Sequence, residues 1–153
     1  MKSVNALLGS LLLLTAPVCA NESPEALQDA FVAALGSSDA AGLAACYTAD
    51  ATNYPVGEMV GIGPESVLAS WNGFFSTFKV LEVSLSDTHM ETRGDISAAW
   101  GLWHMLLEPA DGGDAIKMDG RFMDVARNVD GNWLYIADHA SMPAPGGDEA
   151  ESE

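Results

Sequence analysis

Between residues 23 and 78, apolar side chains recur at three- and four-residue intervals, the period of a helix with one buried face. From residue 79 onward the interval shortens to two, the period of a strand. The first helix starts at Ser23-Pro24-Glu25, where a hydroxyl caps the end, Pro occupies the first turn and an acid sits at the positive end of the dipole. Leu27, Ala30, Phe31, Ala34 and Leu35 form its apolar stripe, and Gly36 ends it. Asp39 caps a second, shorter helix carrying Leu43, Cys46 and Tyr47. Thr48 to Tyr54 reads as a short strand stopped by Pro55, with a turn at Val56-Gly57. Gly61-Ile62-Gly63-Pro64-Glu65 starts a third helix whose inner face is Val67, Leu68, Trp71, Phe74, Phe75 and Phe78.

The remainder predicts strands. Residues 79–91 alternate, Arg93-Gly94-Asp95 turns the chain, and residues 96–107 form a strand that is apolar on both faces. Asp111-Gly112-Gly113 closes one hairpin. Residues 116–142 form the next, folded about Asp130-Gly131, a dipeptide that tolerates positive φ. Helices first and a four-stranded antiparallel meander afterwards predict an α+β fold with the helices on one face of the sheet. Strand phase sorts the side chains. Trp100, Leu102 and His104 share one face of residues 96–107, and Ala99, Trp103, Met105 and Leu107 share the other. Phe122 and Asp124 share a face of the next strand, and Leu134, Ile136, Asp138 and Ala140 share one of the last. His139 falls on the opposite face, as an edge or interface residue. The set that carries Trp103 and Met105, Met123 and Val125, and Trp133 and Tyr135 holds too much apolar area to be solvated, so a homodimer through the outer sheet face is expected.

Composition adds a compartment. Met1-Lys2, a Leu-rich run from Ala6 to Leu14 and small residues up to Ala20 read as a secretory signal peptide cleaved after Ala20. The run is too short to span a bilayer, so a secreted or periplasmic protein without a membrane anchor is expected. One domain, residues 21–142, would follow, and the acidic stretch 143–153 has no apolar periodicity and reads as disordered. Cleavage leaves Cys46 as the sole cysteine, so no intrachain disulfide is expected. The net charge of −16 opposes binding to nucleic acid or anionic lipid.

The pattern resembles the ketosteroid isomerase / SnoaL-like superfamily, the cone-shaped fold shared with nuclear transport factor 2 and scytalone dehydratase. The carrying stretches are Phe31-Val32-Ala33-Ala34-Leu35, Tyr47 through Gly57, Gly120 through Arg127, and Asp130-Gly131-Asn132-Trp133 on to His139-Ala140-Ser141. The resemblance implies a curved antiparallel sheet wrapped around three helices, with a cavity between them. It further implies that Trp100, Leu102, His104, Phe122, Asp124, Ile136 and Asp138 point into that cavity, with Phe31, Trp71 and Phe75 lining it from the helices. Ketosteroid isomerases use an Asp base just before a Pro-Val-Gly turn, a Tyr on the first helix and a protonated Asp in the penultimate strand. Here those positions hold Tyr54, Phe31 and Asp124, so steroid isomerisation by that route is not expected.

The polar groups left in an apolar cavity are Tyr54, His104, Asp124 and Asp138. A His beside a carboxylate is held in one tautomer and made more basic, and His104 and Asp124 lie on neighbouring strands. With Tyr54 and Asp138 assisting, they would support acid/base chemistry on a small apolar molecule: isomerisation, dehydration, cyclisation or hydrolysis. A non-catalytic module that holds a small ligand or dimerises stands beside this reading. No cofactor and no metal is expected, since His89, His104 and His139 lack ligand spacing, and there is no Gly-rich phosphate loop and no basic groove.

Overall fold

The computed structural model describes residues 21–143, so the leader assigned to residues 1–20 and the tail beyond 143 lie outside the described residues. Helix α1, Pro24–Gly36, is capped by the Ser23 hydroxyl, which accepts from the Ala26 N–H. Helix α2 spans Ala40–Ala44 and is capped by Asp39, whose carboxylate accepts from the Gly42 N–H. It is shorter than its spacing predicts: Cys46 lies beyond its end, and Tyr47 opens strand β1, Tyr47–Tyr54. A two-residue strand, β2 (Gly61–Ile62), escaped the sequence reading and immediately precedes α3, Gly63–Thr77. Phe78 does not close α3 but opens β3, Phe78–Arg93; β4 (Ile96–Pro109), β5 (Ile116–Val129) and β6 (Asn132–Ser141) follow.

The six strands form one sheet in the order β2-β1-β6-β5-β4-β3. Strands β3 to β6 make the antiparallel meander; β1 adds to β6 in parallel, and β2 extends β1 antiparallel. The curved, unclosed sheet holds the helices on its concave side. One core cluster gathers Leu27, Val67, Trp133, Tyr47 and Tyr135; a second gathers Leu35, Leu43, Trp103, Met105 and Leu107. Leu27, Leu43, Leu107 and Val67 are fully buried, each worth about 1.5–3 kcal/mol relative to exposure. Phe31 and Trp71 pack against both clusters and join them.

Two phases differ from expectation. In β4 the inward set is Ser97, Ala99, Trp103, Met105 and Leu107, all buried, so Trp100, Leu102 and His104 face outward. Alternation of a strand apolar on both faces carries no sign, and glycine placement supplies it. Trp103 stands opposite Gly120, where a Cβ would come within 2.3 Å of its ring, and Phe122 stands opposite Gly101. In β6 the register slips: Ala126 pairs with Tyr135 but Val125 with Ala137, leaving Ile136 unmatched at a bulge. The bulge puts Trp133 and Tyr135 on the concave side together with Asp138 and Ala140, and takes Ile136 out of that set.

Candidate active site

Between the helices and the concave sheet lies a hollow of about 340 Å³. Its walls are Phe31 from α1, Trp71 and Phe74 from α3, Trp103 and Met105 from β4, and Phe122 from β5. Each is placed by the period of its own element: Phe31 lies four residues before Leu35 on the stripe of α1, and the strand residues alternate with outward neighbours. Polar groups are few. Asp124, Asp138 and Asn53 enter from β5, β6 and β1, Gln28 from α1, and Glu58 from the loop after β1.

Asp124 and Asp138 are directly opposed in the β5–β6 ladder, so their side chains rise from the same face. The Tyr47 hydroxyl donates a short hydrogen bond to Asp138 Oδ2. Tyr47 is buried, and its ring lies against Phe31 and Tyr135. Burial pushes the Asp124 carboxyl well above the usual range, and the neighbouring Asp138 charge and hydrogen bond push it further. Burial also raises Asp138, opposed by the hydrogen bonds it receives from Tyr47 and Asp124. Two carboxyls this close in an apolar wall cannot both ionise. Tyr47 favours the ionised form of Asp138, so the shared proton resides on Asp124. Burial, with the Asp138 and Asp124 charges behind it, holds the Tyr47 phenol well above its ordinary value; Tyr135 is raised by burial and the same two carboxyls. Asp124 Oδ1, Gln28 Nε2 and Trp103 Nε1 are buried without a hydrogen-bond partner. An arrangement with an acid, an adjoining carboxylate and a surrounding of aromatic carbon can move protons to and from a small apolar molecule.

The residues singled out from sequence divide. Phe31, Trp71, Phe122, Asp124 and Asp138 line the hollow. Phe75 stacks on Trp71 without joining the lining. Tyr54 is half exposed at the end of β1, opposite His139 on the outer face, with ring centroids 6.1 Å apart; its neighbour Asn53 takes the inward place. Trp100 and Leu102 are outward, and Ile136 sits at the bulge. His104 does not meet Asp124. Its partner across β5 is Asp119, and the partner of Asp124 across β4 is Ala99. His104 Nδ1 lies 2.7 Å from Asp119 Oδ1 on the outer face. Tyr47, Asn53, Trp103 and Tyr135 were missed. Helical spacing from Leu43 groups Tyr47 with α2, whereas the run Tyr47-Thr48 with Thr52 and Tyr54 has the strand composition that β1 bears out.

The sequence profile described as a SnoaL-like domain matches residues 29–136. No curated protein matches the chain. Among solved structures, a provisionally named scytalone dehydratase from Novosphingobium aromaticivorans superposes with a TM-score of 0.70 at 13% identity, covering 78% of this chain and 81% of that one. A nuclear transport factor 2-like superfamily protein from Salmonella enterica serovar Typhimurium gives 0.68 at 17% identity, covering 82% and 92%. A ketosteroid isomerase-like protein from Erwinia carotovora atroseptica gives 0.67 at 16%, covering 79% and 94%. At such identities the likeness is one of fold. With the profile spanning most of the domain and these neighbours sharing its curved sheet and helices, the chain belongs to the SnoaL-like domain family.

Proposed function

We propose that this chain is an exported cavity enzyme that catalyses proton transfer on a small, uncharged, apolar molecule bearing a carbonyl or hydroxyl group. Asp124 is the acid and Asp138 the base. In an isomerisation or dehydration, Asp138 takes a proton from carbon while Asp124 donates one to the substrate oxygen, and Tyr47 stabilises the Asp138 carboxylate before and between turnovers. The aromatic walls supply binding and exclude water, which strengthens the field of the carboxyl pair. The single observation that carries the reading is the opposed Asp124–Asp138 pair, with Tyr47 behind it, at the wall of a mostly apolar hollow. The dehydratase and isomerase names among the structural neighbours belong to those proteins, but their chemistry is of the same class.

The test is isotope exchange. The purified chain is incubated in D₂O with a panel of hydrophobic ketones, and deuterium at the carbon beside the carbonyl is read by mass spectrometry. Catalysed exchange that disappears in Asp138→Asn and falls at least 100-fold in Asp124→Asn supports the reading. A folded protein that binds members of the panel but exchanges none overturns it. A non-catalytic ligand carrier would then be favoured, a reading encouraged by the inward place at the end of β1 being held by Asn53, which is not a base. Export rests on the leader-like stretch, and a mature chain beginning at Asn21 in cell envelope or culture fluid is the expected result.

A further inference from the structure

A second recess, of about 480 Å³, adjoins the hollow between the loop after β1 and helix α3. Asn53, Pro55, Glu58, Ser70 and Phe74 belong to the linings of both. We propose that the two spaces hold one molecule: an uncharged aliphatic ketone or alcohol whose oxygen lies at Asp124 and whose hydrocarbon chain runs out of the hollow into the recess. This rests on the carboxyl pair as the polar end of the site and names the substrate class.

The path between the two spaces is short. Asn53 is the cross-strand partner of Asp138 in the β1–β6 pairing, so the shared rim begins one strand, about 4.8 Å, from the carboxyl pair. At the inner end Asp124 is buried and its Oδ1 has no hydrogen-bond partner, a site for a polar head.

The outer end suits carbon. Met59 is 86% exposed and Val60 is 47% exposed, and both border the recess. Neighbouring apolar side chains held out in water mark a surface that a ligand covers. Met59 is unbranched and can adapt to chains of different length. On the other wall Ser66, Ala69, Ser70 and Gly73 recur at three- and four-residue steps, so small residues share one face of α3. They leave a trough beside Phe74, where a Cβ on Gly73 would meet nothing within 4 Å.

Charge selects the head. Glu58, Asp124 and Asp138 line the hollow, and among the described residues no Lys, Arg or His lines either space. A fatty acid would bring its carboxylate to these acids with no cation to meet it. A ketone or alcohol brings no charge, and its oxygen can accept from protonated Asp124.

The experiment is titration calorimetry of the purified chain with 2-alkanones from 2-hexanone to 2-dodecanone, and with dodecanoate, at pH 7. Each methylene seated in the recess should tighten binding by about fourfold. Dodecanoate should bind at least about 100-fold more weakly than 2-dodecanone. Gly73 borders the recess and not the hollow, and replacing a glycine inside a helix does not weaken the helix. Gly73→Phe should therefore fill the trough, cost 2-dodecanone at least about tenfold in affinity and leave 2-hexanone as in the parent. Ala69→Phe fills the same trough one turn earlier and repeats the test where Gly73→Phe fails to fold. Affinity that is flat along the ketone series, a folded variant that weakens both ketones alike, or dodecanoate bound as tightly as 2-dodecanone would each overturn the proposal. So would a variant that changes the sedimentation coefficient and leaves every affinity unchanged, which would assign the recess to a second copy of the chain. These titrations read occupancy without turnover. Lost deuterium exchange beside an intact chain-length series strikes only the catalytic reading, and exchange beside a flat series strikes only this one.

Discussion

Asp124 and Asp138 face each other across the β5–β6 ladder; burial raises both carboxyls, Asp138 makes Asp124 harder still to ionise, and the hydrogen bond from Asp124 eases the ionisation of Asp138. A carboxyl raised in the folded state contributes stability that is fully present below its unfolded value and is lost as pH rises through its folded value. Both groups are raised, so the fold should be held best in mild acid and weaken toward neutral and alkaline pH at this site. Asp124→Asn keeps a donor for Asp138 and removes the charge that must otherwise appear. It should raise the unfolding free energy at pH 8 by an amount on the order of 1–3 kcal/mol, and the melting temperature with it, with the gain vanishing as pH falls toward 4. Thermal melts of both chains from pH 4 to 9 check the sign.

Tyr47 makes the opposite contribution to the same pair. Its hydroxyl donates to Asp138 and lowers that carboxyl, while its ring packs on Phe31 and Tyr135. Tyr47→Phe keeps the ring contacts and deletes the donor. Stability at pH 7 should fall by about 1–3 kcal/mol, since a buried charged acceptor loses a partner. The Asp138 carboxyl should titrate higher than in the parent, which carbon-detected NMR of the side-chain carboxyls would read.

Gly120 carries no side chain because the Trp103 ring occupies that space. A Cβ there would meet Trp103 Cζ2 at 2.3 Å and the Ser141 carbonyl oxygen at 2.4 Å. The carbonyl belongs to the neighbouring strand's backbone and the ring is wedged in a core cluster, so neither yields easily. Gly120→Ala should cost at least about 2 kcal/mol and change the near-ultraviolet signature of Trp103. Gly131→Ala is the control: its added Cβ meets nothing, and only the strain of φ +88° remains. It should cost about 1 kcal/mol and leave the Trp103 signature unchanged.

Most of the architecture was legible because period and punctuation agreed. Ser23-Pro24-Glu25 fixed the start of α1, and Asp130-Gly131 fixed the last hairpin. Asp124 and Asp138 could be placed on one wall because β5 alternates plainly and both residues lie on the same side of the β6 bulge. The rest failed where the period was silent. Ile96 to Leu107 is apolar on both faces, so alternation alone does not tell that His104 faces outward to Asp119; Gly120 opposite Trp103 does. Ile136 was lost to a one-residue slip that no local residue announces. The resemblance to a catalytic base position puts Tyr54 in the cavity, whereas β1 alternates Asn53 in and Tyr54 out. The parallel pairing of β1 with β6 is a contact between residues about 85 positions apart, beyond the reach of any periodicity.

The direction of β4 decides which chemistry this protein has available, and one pair of substitutions tests it. Leu102 is 38% exposed and Met105 is 9% exposed, three positions apart on the same strand and therefore on opposite faces. An aspartate at Leu102 reaches water without disturbing the core, so Leu102→Asp should cost less than about 1 kcal/mol. An aspartate at Met105 would sit among Leu35, Val80, Trp103 and Leu107 with no partner for its charge. Met105→Asp should therefore cost more than about 3 kcal/mol, or leave the chain unfolded at neutral pH and partly rescued in acid, where the new carboxyl is protonated. Urea denaturation of the two variants at pH 7 and pH 4.5 separates these outcomes. The reverse order of sensitivity would turn β4 over, move His104 back toward Asp124, and break its contact with Asp119.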